Sequence, residues 1–370
     1  MPRIHFPRHS PIRCIIPEHI LTGLIKHGTS EQREFALISL QLDHSFRSAR
    51  LGFVEFNRPR FAARRMQRVV GRPAWLGAVI QPQPDRTIYT AHETQRIPGQ
   101  KRRGEGDPPT GDAEVDEAYD GLGATFNLYW QAYERNSIDD RGLPLNGTVH
   151  YGVNYDNAFW DGQRMNFGDG DQVTFNRFTV AVDIMGHELT HGVTQHESNL
   201  IYWGQTGALN ESISDVFGSL VKQFHNNEAA NQADWIIGEG LLAGGINGVG
   251  IRSMKAPGTA YDDPAMGGKD PQPAHMKDYV YTFQDNAGVH INSGIPNYAF
   301  YLTAVSMGGN AWEKAGSIWY QSCISPFMKP TMRFQPFAQL TVSTAQQLFG
   351  PGSAEVGAVQ NAWNAVGIGV

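Results

Sequence analysis

The chain of 370 residues has only two cysteines, Cys14 and Cys323, too few for a disulfide framework. Each is expected to be a small buried residue or an inert thiol. No run of 18 apolar residues occurs, so no membrane span is expected. The N-terminal residues lack the unbroken apolar core of a secretory signal peptide. This absence predicts a cytoplasmic protein, or one exported to the extracellular space by another route.

An excess of positive charge is also lacking. The formal net charge is -6, with 41% hydrophobic and 18% charged residues, so we expect no nucleic-acid partner. The length predicts two or three globular domains. Helical spacing of apolar residues indicates a small helical unit over 14–46, followed by an Arg- and Pro-rich stretch. That stretch is typical of a nucleic-acid or membrane-binding tail, or of a protease-sensitive linker. We favour the linker because no aromatic pattern repeats through it.

The remaining sequence alternates between two kinds of pattern. A strand is predicted at 87–90 and an amphipathic helix at about 112–135. Short strands and turns are predicted over 142–180, and mainly helices from Asp183 onward. The predicted fold class is therefore α+β with a more helical C-terminal half.

Two histidines four residues apart, His187 and His191, would lie on one face of a helix and could share a metal ion. Glu188 projects beside them and can take a proton from a metal-bound water. This is the H-E-x-x-H arrangement of zinc peptidases. On the pentapeptide alone, a surface helix with two histidines remains a serious alternative.

A second segment weakens that alternative. Glu211 and Asp215 also lie four apart, twenty residues beyond His191, with apolar neighbours that predict a buried face. Unpaired carboxylates there would be costly. Glu211 can supply the third protein ligand of a catalytic zinc, and Asp215 can accept the second N–H of a ligand histidine.

A third segment offers donors for an oxyanion. His290 follows a Gly-containing turn and could be oriented by Asp285, and Tyr202 follows the zinc helix. Taken alone, His290 is as easily a structural histidine.

These segments resemble the thermolysin family of metallopeptidases, most closely its protealysin-like branch. The resemblance rests on the order and spacing of residues 157–160, 187–191, 207–215, 250–254 and 288–294. Residues 14–21 are similar to the propeptide motif of that branch. The resemblance implies a two-lobed α+β fold, with a β-rich N-terminal lobe, a mainly helical C-terminal lobe and the zinc helix between them. The implied domains are a propeptide (1–50), a linker (51–86) and catalytic lobes at 87–200 and 201–370.

The resemblance also implies residue roles. The implied cofactor is Zn²⁺, held by His187, His191 and Glu211, with Glu188 as general base. Tyr202 and His290 would stabilise the oxyanion, with Asp285 orienting the histidine. Asp215 and Asn210 would support the ligand histidines. Asn157, Ala158 and Arg252 would bind the substrate backbone. The residues implied to line the pocket for the side chain on the amine side of the scissile bond are all apolar: Phe175, Phe178, Ile184, Ile237, Leu241 and Ile251.

The resemblance matches the calcium sites of the family only in part. Three acids match calcium ligands of the family: Asp183, Asp234 and Glu239. Lys222, however, falls where a bridging acid is expected, and Ile236 and Val249 replace further acids. We expect at most one weakly bound Ca²⁺, with Lys222 acting as a fixed positive charge instead.

The expected function is that of a zinc-dependent neutral endopeptidase made as a latent precursor, which cleaves peptides or proteins before a hydrophobic residue. Its own propeptide would act as an intramolecular inhibitor, with the run Ile15-Ile16-Pro17 in the cleft. Cys14 would either bind the zinc or only pack beside the motif. The alternatives are a catalytically silent relative that serves as a binding module, and another zinc hydrolase such as an aminopeptidase. We expect a monomer.

Overall fold

The computed structural model describes residues 13–56 and 82–370. Its N-terminal part forms strand β1 (Arg13–Cys14) and helices α1 (Glu18–His27) and α2 (Ser30–Phe56). Thr29 and Gln32 close the turn between the helices: the Thr29 N–H donates to Gln32 Oε1 at 2.9 Å, and the Gln32 N–H donates to Thr29 Oγ1 at 3.2 Å. This reciprocal capping box starts α2.

The described helices confirm the predicted helical unit. Helix α2 continues past residue 50, where the propeptide was expected to end. Most of the predicted linker lies outside the described residues, so the predicted domain boundaries stay a prediction.

A six-stranded sheet contains β1 and five further strands. These are β2 (Arg86–Thr94), β3 (Gln100–Gly104), β4 (Leu145–Tyr151), β5 (Ala158–Trp160) and β6 (Met165–Phe167). The strand order is β1-β5-β6-β4-β2-β3. Strand β4 is parallel to both β2 and β6, and the other pairs are antiparallel. The N-terminal segment thus forms one edge of the sheet, directly beside β5.

Three long helices meet behind this sheet: α3 (Ala113–Tyr133), α4 (Val182–His196) and α5 (Gly204–Asn226). Helices α4 and α5 approach closely because glycines lie at their crossing. A Cβ added to Gly186 would lie 3.0 Å from the Gly218 Cα, and one added to Gly218 would lie 2.5 Å from the Asp183 carbonyl oxygen. Only glycine leaves room for backbones this close. The crossing brings the side chains of the two helices to a common centre.

The rest of the chain is mainly helical. It comprises α6 (Asp285–Asn292), α7 (Gly294–Met307), α8 (Lys314–Cys323), α9 (Phe334–Phe349) and α10 (Ala354–Ala365), with the short strand pairs β7 (Ile236–Ile237) and β8 (Arg252–Ser253), and β9 (Asp262–Asp263) and β10 (Gly268–Lys269). Within 13–56 and 82–370, no helix is long and apolar enough to span a membrane. The predicted two-lobed α+β fold is confirmed.

Candidate active site

Helix α4 carries His187, Glu188 and His191, all buried. The two imidazole rings lie edge to face with centroids 4.6 Å apart, as expected for residues four apart on a helix. One nitrogen, one carboxylate oxygen and one further nitrogen of these three residues lie within 4.8 Å of one another. The helix therefore presents a group of metal-binding atoms at a single point.

Helix α5 brings Glu211 to the same point. Its Oε2 lies 3.4 Å from His187 Nε2, and its Oε1 lies 3.2 Å from His191 Nε2. Neither His187 Nε2 nor Glu211 Oε2 has a hydrogen-bond partner in the described chain, although both are buried. A tetrahedral zinc with bonds of about 2.0–2.1 Å has ligand atoms roughly 3.3–3.4 Å apart. The spacing and the unpaired atoms both fit a zinc ion.

The other ring nitrogen of each histidine, Nδ1, contacts polar side chains outside the group of metal-binding atoms. The His187 Nδ1–H donates to Asp215 Oδ1 at 2.8 Å. His191 Nδ1 lies 3.0 Å from Asn210 Oδ1 and 2.9 Å from Ser214 Oγ. Such contacts fix the tautomer and aim Nε2 at the metal.

The pKa shifts of the site residues favour the binding of a cation. Burial would lower the pKa of His187, but Asp215 and Glu211 outweigh it and raise the pKa to about 9. The Arg252 guanidinium and His187 hold the pKa of Asp215 at about 2, against the effect of burial. A metal ion would replace the proton on His187.

The two carboxylate oxygens of Glu188 have different contacts from those of Glu211. Its Oε2 accepts the Trp160 backbone N–H at 3.1 Å, and its Oε1 is buried with no hydrogen-bond partner among the residues described. Burial raises the pKa of Glu188 to about 8, and His187 opposes the shift. The free oxygen is suited to accept a proton.

His290 lies across the cleft, after a turn whose residues 286–288 all have left-handed backbone angles. Its Nδ1–H donates to Asp285 Oδ1 at 2.5 Å, and its backbone N–H donates to Asp285 Oδ2 at 2.9 Å. The Tyr202 hydroxyl lies 3.1 Å from His290 Nε2 and donates to Glu211. Burial would lower the pKa of His290, but Asp285 and Glu211 outweigh it. The two donors therefore flank the candidate metal position.

The segment 13–16, made of strand β1 and the two residues that follow it, occupies the cleft. The Ile15 N–H donates to the Ala158 carbonyl at 3.1 Å. Arg252 Nη1 donates to the Ile15 carbonyl at 3.2 Å, and the Ile16 N–H donates to Asn157 Oδ1 at 3.0 Å. His290 Nε2 lies 3.2 Å from the Cys14 carbonyl oxygen. The groups implied to bind a substrate backbone are thus bound to the chain's own N-terminal segment.

The two cysteines are buried, as predicted. The Cys14 side chain packs in a small apolar cluster with Leu42, Tyr151, Tyr155 and Phe159. Its contact with His290 is made through the carbonyl oxygen. The arrangement corresponds to the packing role expected for Cys14.

The six apolar residues predicted to line the specificity pocket are all buried. They are Phe175, Phe178, Ile184, Ile237, Leu241 and Ile251. They belong to the same hydrophobic core as Ile15. Their role as pocket residues stays a prediction, since burial alone is equally consistent with a purely structural role.

The three acids considered for calcium surround Lys222. Its Nζ donates to Asp234 Oδ2 at 2.5 Å and to Glu239 Oε2 at 2.7 Å. Burial raises the pKa of Asp183 to about 6, while Lys222 opposes the shift. The cluster already contains one cation.

Several supporting contacts were not found from the sequence. Ser214 contacts His191, and Asn297 Nδ2 donates to Asp215 Oδ2 at 2.8 Å. From α2, Asp43 Oδ2 accepts Asn157 Nδ2 at 3.0 Å, and Ser39 Oγ accepts the Asp156 N–H at 2.9 Å. Spacing carried no signal for these contacts, except for Ser214, which lies three residues after Glu211 on the same helix.

Comparison with known proteins agrees with this geometry. The family model "Thermolysin metallopeptidase, catalytic domain" matches residues 88–195, and "Thermolysin metallopeptidase, alpha-helical domain" matches residues 198–368. An extracellular metalloprotease of Pectobacterium carotovorum is 48% identical over 97% of both chains. Protease PrtS of a Photorhabdus species is 52% identical over 77% of this chain and 76% of its own.

A solved structure, the precursor of protealysin, a metalloproteinase from Serratia proteamaculans, matches with a TM-score of 0.84 and 50% identity, covering 96% of this chain and 99% of the other. The chain belongs to the thermolysin family of metallopeptidases. The predicted family, fold and enzyme class are confirmed.

Proposed function

We propose that His187, His191 and Glu211 hold a catalytic zinc ion and that Glu188 is the general base of an endopeptidase. The observation that carries this assignment is the spacing of 3.2 and 3.4 Å between Glu211 and the two histidine Nε2 atoms. Glu188, by contrast, keeps one oxygen on the Trp160 backbone and one oxygen free.

A zinc ion bound there would polarise the scissile carbonyl and make an adjacent water acidic. Glu188 then takes a proton from the water and passes it to the leaving amine. His290 and Tyr202 donate hydrogen bonds to the carbonyl oxygen as negative charge develops on it. Asp285 holds the His290 ring in place for this step.

Substrate binding follows the contacts of the segment 13–16. Ala158 and Arg252 hold the residue on the amine side of the scissile bond, as they hold Ile15, and Asn157 holds the next. The six buried apolar residues proposed to line the pocket for that side chain favour Leu, Ile, Phe or Val, because a charged side chain would be buried without a partner.

The same contacts support latency of the precursor. The N-terminal segment fills the backbone-binding positions, α1 packs on the 261–268 loop of one lobe, and α2 is bonded to Asp156 and Asn157 in the other. A Cβ added to Gly23 of α1 would lie 2.4 Å from the Met266 carbonyl oxygen, which shows how close this contact is. The propeptide therefore acts as an inhibitor that excludes substrate from the cleft.

We also propose that the enzyme acts outside the cell as a monomer, with Lys222 replacing calcium at its cluster. Relatives named as extracellular metalloproteases support the location.

The test begins with metal analysis and a chelator-sensitive peptide-cleavage assay on the processed form. Glu188→Gln should retain zinc yet lose activity by roughly 10²-fold or more. The exposed Glu93→Gln is the matched control and should change nothing. Internal fragments with Leu, Ile, Phe or Val at their new N-termini are expected. Release of single amino acids would instead indicate an aminopeptidase, and normal turnover of zinc-loaded Glu188→Gln would refute the base.

Latency needs a separate measurement. Precursor shown not to process itself should cleave a peptide more slowly than the form that begins near Thr87. Gly23→Ala should raise the precursor's rate, and the processed form obtained from it, which lacks residue 23, should cleave the peptide at the parent's rate. Equal rates for the precursor and processed form would overturn the inhibitory role. If Cys14→Ser leaves the precursor latent, the thiol is not needed for inhibition.

A further inference from the structure

His19 on helix α1 touches the catalytic domain at the edge of the cleft. Its Nε2 lies 3.2 Å from the Tyr261 hydroxyl. Part of the residue reaches the surface, but its Nδ1 is covered and has no hydrogen-bond partner in the ranges described. A neutral imidazole fits this position, whereas an imidazolium would bury a second N–H without an acceptor.

The charged groups facing His19 come from two elements, Asp285 and His290 from α6 and Arg252 from β8. Burial lowers the pKa of His19 to about 4; Asp285 opposes the shift, while His290 and Arg252 reinforce it. Tyr261, the hydrogen-bond partner, is neutral at physiological pH, since burial raises its pKa. His19 therefore faces one acid and two basic side chains, and burial together with the two basic side chains favours the neutral ring.

We propose that His19 makes inhibition by the propeptide acid-sensitive: protonation of its ring releases the segment 13–27 from the cleft and exposes the active site. This inference rests on the proposed latency. The propeptide is held fully above about pH 6.5, the ordinary pKa of histidine, and its hold weakens as the pH falls from there toward 4.

His27 serves as an internal control for the role of His19. It lies on the same helix but is exposed, at the C-terminal end of α1. Its ring is in contact with water and is not enclosed by the catalytic domain. Any effect of pH that comes from histidine charge in general would involve both residues, and an effect of the buried contact would involve His19 alone.

The experiment uses the full chain carrying Glu188→Gln, which prevents self-cleavage. Hydrogen–deuterium exchange of residues 13–20 is measured from pH 4.5 to 8, with intrinsic exchange rates corrected at each pH. Protection should be high at pH 8 and should fall by about tenfold per pH unit below 6.5, as one linked proton requires. His19→Gln, and His19→Asn as a second neutral replacement, should remove this fall. His27→Gln should keep it.

The possible failures are separable. If residues 13–20 exchange freely at pH 8, the cleft is not occupied and the proposed latency itself fails. If they are protected at pH 8 but both neutral His19 variants lose protection in acid as the parent does, the pH switch is wrong and latency stands. A flat profile in either neutral variant, with a sloping profile in His27→Gln, supports the switch.

Discussion

Two clusters at helix α4 each hold acidic side chains close together, and the negative charge of these acids is balanced in a different way in each cluster. At Asp183, in the first turn, the acids gather around the Lys222 ammonium, which bonds Asp234 and Glu239. One turn further on, His187 Nε2 and Glu211 Oε2 face each other at 3.4 Å without a proper hydrogen bond.

The difference shows how to tell a metal site from an ion-pair network. Burial would lower the pKa of Lys222, yet its three acids outweigh burial and raise it. In the cluster around Asp183, the Lys222 side chain itself supplies the positive charge. The zinc cluster instead has donor atoms spaced for an ion and supporting contacts to the ligand histidines.

The largest effect is expected when the zinc cluster loses an acid. Glu211→Ala should lose the metal and with it the activity. Affinity should fall by more than the roughly 10–100-fold typical of losing an outer contact. Metal content after dialysis and peptide cleavage are the measurements. Glu239→Ala, taken from the other cluster, is the control and should keep zinc; full zinc occupancy in Glu211→Ala would remove it from the ligand set.

A smaller effect is expected when the other cluster loses its cation. Lys222→Met leaves three acids together and should lower the free energy of unfolding by about 1–3 kcal/mol, less than a fully buried pair because Glu239 is exposed. The loss should shrink below about pH 6, where Asp183 takes up a proton. Thermal or denaturant unfolding across pH measures this.

The effect of added calcium on the stability of Lys222→Met is a more specific test of the role of Lys222. Added calcium should restore stability to Lys222→Met and have little effect on the parent chain, because Lys222 already supplies the positive charge. Two tightly bound calcium ions in the dialysed parent would contradict the idea that lysine replaces them.

The smallest effect is expected at a third cluster, where His150 Nδ1–H donates to Asp169 Oδ2 at 2.8 Å and Nε2 lies 3.3 Å from Asp112. The Asp169 hydrogen bond raises the pKa of His150 to about 9, despite partial burial. Its contribution is fully present below pH 6.5 and is lost as the pH rises through 9. His150→Gln should cost about 1–2 kcal/mol at pH 6, since the side chain is 22% exposed, and almost nothing above pH 9. Zinc content should not change; a loss of zinc would show that this cluster, which also has Glu114 within reach, binds metal.

Site residues could be placed from the sequence where they lie only a few positions apart along the chain. His187 and His191 could be placed because a helix repeats every 3.6 residues, and Asp215 because it shares a face with Glu211. His290 was only a weak candidate from its own segment, and family resemblance then supplied Arg252 and supported His290, neither of which a local period connects to the zinc helix.

Contacts of the propeptide could not be found in this way. His19 meets Tyr261 across 242 positions, and Asp43 meets Asn157 across 114. Neither residue stands in a pattern that differs from an ordinary solvated helix. Such pairs depend on how the N-terminal helices pack against the rest of the chain, and the spacing of residues in a single sequence does not indicate that packing.

The glycine contact between α4 and α5 has a mechanical consequence. At Gly186 and Gly218 the two helices touch largely through backbone, and the Val221 side chain beside Gly186 is β-branched and therefore stiff about χ1. A strain applied to the lobes therefore cannot be absorbed at this crossing by local repacking. The two helices move as one body, and any hinge that widens the cleft must bend elsewhere, leaving the spacing of His187, His191 and Glu211 unchanged.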